Sequence, residues 1–181
     1  MEFDQIILTP GPQLKNLLKD VGYTVDIRPQ KGQLLVFETE LIESGNWPVA
    51  MLSGEADLIP FEKGKILLGA THENDATWDL AETAAAFTQL TESARPYLAT
   101  PAKLLATPVH YRVGTRAYTS DFAPFFGRLS DTLVVASGLG SSGLTTGPLI
   151  GYLLAQSLNY RQTLDYPNYQ KPLTRYIQAR A

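Results

Sequence analysis

Between Val134 and Leu158 the chain reads VVASGLGSSGLTTGPLIGYLLAQSL, an apolar run, a glycine-rich stretch and a second apolar run. The order is strand, turn, helix, and no other segment restricts the fold as much. Leu133 to Ser137 shows no polar alternation, which predicts a strand covered on both faces. Gly138 to Gly147 is the turn region, and Pro148 to Leu158 the helix. Gly138, Gly140 and Gly143 give the turn backbone freedom and allow close approach by a ligand, while Ser141, Ser142, Thr145 and Thr146 add hydroxyls near a helix start. Exposed amides there suit an anion or a polarised carbonyl oxygen. A turn packed tightly on its own helix accounts for the same residues.

GLGSSG matches G-x-G-x-x-G from Gly138 to Gly143, but no second parallel strand with a ribose-binding acid follows at the right distance. Asp165 lies well beyond the helix. A self-contained dinucleotide fold is therefore not supported by this turn.

A second unalternated strand, Gln5 to Thr9, is stopped by Pro10-Gly11, and Pro12 to Leu18 follows as a short helix with Leu14, Leu17 and Leu18 on one side. The middle changes character. Val25 to Arg28, Gln33 to Glu38, Val49 to Ser53, Leu58 to Phe61 and Ile66 to Thr71 read as antiparallel strands, the last two joined by a turn at Glu62-Lys63-Gly64-Lys65. Thr77 or Asp79 is the predicted cap of a helix running to Ala94, with Ala85, Phe87, Leu90 and Ala94 facing the core and Pro96 after its end. Val109 to Tyr118 is a partly alternating strand, and a short helix is predicted around Leu173 to Ile177.

These elements predict an α+β fold. Two lobes are one arrangement, with residues 1–24 and 127–160 in an α/β-like lobe, 25–126 in an antiparallel or mixed-sheet lobe and 161–181 as a tail. One continuous α+β domain is the other. The length of 181 residues suffices for a full hydrophobic core, and 44% apolar residues is ordinary for a globular chain.

Fifteen basic against eighteen acidic residues, with no dense basic run, disfavour nucleic acid as the main partner. The absence of cysteine removes disulfide and thiolate chemistry and fits a reducing compartment, here expected to be the cytoplasm. No uninterrupted apolar segment reaches the roughly 18 to 20 residues of a membrane span, and the start lacks the basic and apolar regions of a signal peptide.

The ordered blocks FDQIILTPGPQLKNLL, RPQKGQLLVFET, ILLGATHENDATWD, VGTRAYTSDFAPFFGRL and LVVASGLGSSGLTTGPLIGYLLAQSL resemble the carboxyl-terminal half of the FAD-dependent D-amino-acid oxidase and glycine oxidase family. The resemblance implies a partial two-lobe flavin oxidoreductase fold and FAD as the cofactor. In that family the turn that takes the FAD diphosphate lies near the amino terminus of a longer chain, and nothing here matches it. The expectation is therefore a fragment, or a subunit that completes its flavin site with a missing amino-terminal FAD-binding half, inactive alone and without bound FAD. An anion-binding α+β module without enzymatic activity is the alternative from another class. Loss of covering strands would bare Ile6 to Leu8 and Val134 to Ala136, so self-association is expected.

The same resemblance implies roles for residues. The turn from Gly138 through Gly140, Ser141, Ser142, Gly143 and Leu144 to Thr145 approaches the flavin ring, its amides facing the pyrimidine oxygen. Arg116 holds the substrate carboxylate, for which a planar guanidinium provides two parallel donors. Tyr111 and Tyr118 line the pocket, unless their rings are simply part of the core. Asp121 is structural, and Arg128 contacts the cofactor lobe or merely its acidic surface. The implied reaction is hydride transfer from the α-carbon of glycine, a D-amino acid or a related secondary amine to flavin N5, with oxygen or an electron carrier as final acceptor. It needs no side-chain base when the amine is neutral, so no catalytic residue is assigned. His72 is read as a loop hydrogen-bonding group, and His72, Glu73 and Asp75 do not have the spacing of a metal site.

Overall fold

The unalternated strand before the glycine turn is buried on both sides because it is the middle strand of a sheet with helices and apolar loops against its faces. A computed structural model describes residues 3–54, 56–74, 78–99, 109–160 and 170–180. In chain order the strands are β1 (Ile6–Leu8), β2 (Tyr23–Val25), β3 (Arg28–Glu38), β4 (Ala50–Met51), β5 (Asp57–Pro60), β6 (Lys65–Gly69), β7 (Val109–Tyr118), β8 (Phe125–Arg128), β9 (Leu133–Ser137) and β10 (Ile177–Ala179). The helices are α1 (Leu14–Asp20), α2 (Ala84–Ala94) and α3 (Gly143–Tyr160). The fold is mixed α+β. Its residues form two compact units, 1–30 with 116–181, and 31–115. The lobe limits read from the sequence lay at 24/25 and 126/127.

In the discontinuous unit, β1, β9 and β8 form a sheet in that order. β1 runs parallel to β9, with Ile6 opposite Leu133 and Leu8 opposite Val135, and β8 is antiparallel to β9. Side chains of a strand alternate between faces. Val135 accordingly enters a cluster with Leu14, Leu18, Ile27, Phe125 and Tyr176, whereas Val134 and Ala136 pack with Ile150 and Leu154 of α3. Fully burying a leucine such as Leu14 or Leu18 contributes about 1.5–3 kcal/mol. Leu17 is half exposed, not part of that cluster.

The sequence reading missed β8 and β10. β8 spans Phe125 to Arg128, where no element was assigned, and Leu173 to Ile177 is not a helix: a short 3-10 turn at Leu173–Arg175 leads into β10. β10 pairs antiparallel with β2, Ile177 opposite Val25. The exposed face was foreseen only in part. Ile6 and Ile7 are half exposed at the sheet edge, while Val134, Val135 and Ala136 are buried.

In the contiguous unit a five-stranded sheet has the order β4-β5-β6-β3-β7. Leu35, Phe37, Ile66 and Leu68 from β3 and β6 pack with Leu90 and Ala94 of α2. α2 starts later than predicted. Thr83 caps it, its hydroxyl accepting from the Ala86 amide at 3.2 Å, while Asp79 accepts from Ala81 N in a turn further upstream; Thr77 lies outside the described residues. That start turns Ala86, Leu90, Thr91 and Ala94 inward and leaves Ala85 exposed. Between β5 and β6, Gly64 has φ +78° and an added Cβ would lie 2.0 Å from the Thr39 carbonyl oxygen, so the hairpin closes only with glycine there. Among the described residues no helix is long and apolar enough to cross a membrane.

Candidate functional site

The turn after β9 is held from beneath. Ser137, the last residue of the strand, is buried and donates its hydroxyl to the Gly11 carbonyl at 2.9 Å. Gly138 has φ +76°, and a Cβ on it would lie 2.9 Å from Thr119 Cγ2 and 3.4 Å from the Ala123 carbonyl oxygen. Only glycine meets both demands. Gly140, also at positive φ, would carry its Cβ 3.9 Å from the Ala117 carbonyl oxygen, next in sequence to Arg116. The glycine turn thus lies along the end of β7 within a single unit.

A short 3-10 turn, Gly140–Ser142, runs into α3, which begins at Gly143 and not at Pro148. Pro148 is accommodated inside the helix and has no amide to donate to the Leu144 carbonyl. Three of the hydroxyls are engaged within the turn itself. Ser142 Oγ donates to Leu139 O at 2.9 Å, and Thr145 and Thr146 both donate to Ser142 O, at 2.8 and 2.9 Å. They brace the turn from inside, and the start of α3 lies at the positive end of its helix dipole. Leu144 projects almost wholly into solvent.

Arg116 is half-buried, and burial holds its guanidinium somewhat below the ordinary arginine pKa. Its Nη1 donates to Gln30 Oε1 at 3.4 Å, and Gln30 is buried. Ala117 packs into the core, so pleat alternation puts Arg116 and Tyr118 together on the other face of β7. Tyr118 is buried and stacks on Phe122 with centroids 5.5 Å apart. Tyr111 belongs to the contiguous unit, where it packs against the cluster of Leu35 and Phe37. The structure therefore brings Arg116, Tyr118 and the 138–145 turn into one unit, and commits the Tyr111 ring to the apolar cluster of the other. Arg128 is exposed and donates to the Asp131 carbonyl at 2.8 Å.

Two polar assemblies were not recognised as such in the sequence. Asp121 accepts from Thr119 Oγ1 at 3.0 Å, from the Ala123 amide at 3.2 Å and from Tyr176 OH at 3.2 Å, and is paired with Lys171 and with Arg175 Nε at 3.4 Å. The Lys171 hydrogen bond first, and then the Ala123, Thr119 and Tyr176 bonds, outweigh the cost of burial and hold its carboxyl well below the usual range. In the other unit Gln33, fully buried, donates to Glu73 Oε1 at 2.8 Å and to Thr83 Oγ1 at 2.9 Å, and Thr71 Oγ1 donates to Glu73 at 2.7 Å. Glu73 is thereby engaged in tying the chain around His72 to β3. Asp75 lies outside the described residues. Thr119 and Ala123 lie two residues from Asp121, and Thr71 two from Glu73, but Lys171, Arg175 and Tyr176, and Gln33 and Thr83, are far from their partners in sequence.

The turn has the chemistry that a flavin ring requires of a neighbour. Its glycine backbone admits a close neighbour, and the positive end of a helix dipole lies at the turn, which suits the electron-rich carbonyl oxygens of that ring.

Comparison with known proteins agrees. Residues 1–157 match the family described as FAD dependent oxidoreductase. The chain is 37% identical over 170 residues to the uncharacterized oxidoreductase YurR of Bacillus subtilis, an alignment covering 92% of this chain and 45% of that protein. It is 28% identical over 166 residues to a glycine oxidase of Pseudomonas aeruginosa, covering 91% and 44% respectively. The crystal structure of iminodiacetate oxidase from Chelativorans sp. BNC1 superposes with a TM-score of 0.81 at 28% identity, covering 97% of this chain and 46% of that one. The chain spans about half the length of the relatives it matches. With most of its residues matched to that family and its fold shared with a family enzyme, the chain belongs to the FAD-dependent oxidoreductases.

Proposed function

We propose that this chain is the carboxyl-terminal half of a flavoenzyme that oxidises the C–N bond of glycine, a D-amino acid or a related secondary amine. The observation that carries the reading is the position of Gly140, where an added Cβ would lie 3.9 Å from the Ala117 carbonyl oxygen, beside the strand bearing Arg116. Two relatives named for oxidation of glycine and of iminodiacetate support a substrate with an amine next to a carboxylate.

In this reading Arg116 fixes the carboxylate by paired charged hydrogen bonds, and Gln30 sets the plane of the guanidinium. Tyr118, buried by its stack on Phe122, gives that strand end a rigid wall. The positive end of the α3 dipole would stabilise negative charge on a flavin ring bound at the turn. FAD, when bound, accepts the hydride from the carbon of the substrate's C–N bond. Orientation and electrostatics then account for this chain's contribution, with no side-chain base required. The diphosphate of FAD is held by a separate segment that carries the family's amino-terminal glycine turn.

Titrating the purified chain with FAD, alone and mixed with the amino-terminal half of YurR, tests this. Stoichiometric bound flavin is expected only in the mixture, and under anaerobic conditions glycine, N-methylglycine or iminodiacetate is expected to bleach it. Tight stoichiometric FAD on the lone chain overturns the half-site reading. Bleaching that is indifferent to Arg116→Ala overturns the role of the arginine.

A further inference from the structure

We infer that residues 170–179 form a strap that sets the conformation of the glycine turn, with Asp121 as the positioning residue through which it acts. The strap is anchored at both ends. Gln170 Nε2 donates to the Phe126 carbonyl at 2.6 Å, and β10 pairs with β2, after which the Arg180 amide donates to Gly22 O at 2.8 Å. Between the anchors, Tyr176 is buried and stacks on Phe125 at 5.1 Å, and its carbonyl accepts from the Asp26 amide at 2.8 Å.

Asp121 joins this strap to the loop behind the turn. One side of its carboxylate takes Lys171, Arg175 and Tyr176 from the strap, and the other takes Thr119 and the Ala123 amide from the loop. Thr119 and Ala123 also face Gly138, where an added Cβ would lie 2.9 Å from Thr119 Cγ2 and 3.4 Å from the Ala123 carbonyl oxygen. Thr119 Oγ1 also donates to the Ala123 carbonyl at 2.8 Å, closing the loop on itself. Loosening the carboxylate therefore releases the wall on which Gly138 rests, while the β9 strand keeps its own sheet partners. Through Asp121 the strap thus bears on the conformation of the turn. A shift of about 1 Å at such a site is enough to lower a reaction rate about a hundredfold.

The functional consequence rests on the flavin reading of the 138–145 turn; the structural linkage does not, and the experiment separates them. Backbone 15N relaxation of the full chain gives order parameters for the amides of residues 139–143. In Asp121→Ala these are expected to fall from about 0.85 to below about 0.6, with the amides of β9 and of the 31–115 unit unchanged. Should that variant not fold, the double variant Lys171→Met with Arg175→Met, both at half-exposed side chains, is expected to move the same amides, and Lys171→Arg with Arg175→Lys to restore them. Unchanged order parameters at 139–143, or an equal loss throughout the discontinuous unit, overturn the strap. A loosened turn in a chain that binds no flavin with any partner leaves the strap standing and overturns the flavin reading alone.

Discussion

The Asp26 carboxylate accepts two hydrogen bonds from Ser120, one from the backbone amide at 3.1 Å and one from the hydroxyl at 2.6 Å. It pins the end of β7 two residues beyond Tyr118 to the segment between β2 and β3. The stretch that carries Arg116, Tyr118, Thr119 and Asp121 is therefore tethered repeatedly, by Gln30 at one end and by Asp26 and the strap at the other.

Arg116→Ala is expected to lower kcat/KM for an amino-acid substrate of the flavin-loaded complex by about tenfold to a hundredfold, since a charge-assisted hydrogen bond is worth about 1.5–3 kcal/mol. Arg116→Lys is expected to recover only part of this, because an ammonium cannot offer two parallel donors. Steady-state kinetics with glycine and with an amine lacking a carboxylate checks the assignment. The carboxylate-free amine is expected to be insensitive to either change.

Gly138→Ala combines unfavourable backbone geometry with a clash on the Thr119 methyl group. A destabilisation of about 1–3 kcal/mol is expected in urea denaturation. Adding Thr119→Ser removes that methyl and keeps the hydroxyl bonded to Asp121 and Ala123, so it is expected to restore the steric part and not the backbone part.

Asp121 contributes stability with a defined pH dependence. Its carboxyl is held below its value of 3.8 in the unfolded chain, chiefly by Lys171, so the folded state binds fewer protons than the unfolded one. That contribution is complete above the unfolded value and is lost as pH falls through the lower folded one. Denaturation of the native chain and of Asp121→Asn is therefore expected to show a constant stability gap from pH 6 to about pH 5, narrowing below about pH 4.

Thr83→Ala removes both the cap of α2 and an acceptor for the fully buried Gln33. A loss of about 1–2 kcal/mol is expected. Hydrogen exchange checks it, with faster exchange in the first turn of α2 and at the Gln33 side-chain amide.

Ile6, Ile7 and Phe3 are substantially exposed along the edge of the β1-β9-β8 sheet. Sedimentation at increasing concentration is expected to reveal self-association, and Ile7→Lys to weaken it, since a charge on an edge strand opposes pairing with a second edge.

The parts of this fold that were legible in the sequence are those whose signal is local. The span of β7 follows from alternation through Val109, Tyr111 and Val113, and that of β9 from its unbroken apolar run. β8 and β10 went unread because FFGR is short and ends in a glycine and an arginine, and IQA has a single apolar side chain on its buried face. Leu90, Ala94 and the partly buried Phe87 were read correctly as facing the core from apolar spacing, whereas Ala85 is exposed and its neighbour Ala86 is buried in its place. For the site, the glycine turn and Arg116 stood out by composition and by family likeness. Gln30, Asp26 and the Asp121 clasp were invisible, because each acts on a partner remote in sequence, and only the folded backbone makes them neighbours.

The parallel pairing of β1 with β9 has a consequence for the order in which the molecule forms. Residues 31–115 are continuous and complete their own sheet as soon as they leave the ribosome, whereas Ile6–Leu8 must wait for Leu133–Ser137 before gaining a neighbour. Throughout that interval the apolar Ile6–Leu8 segment lacks its mate, and a holding chaperone has its natural target there.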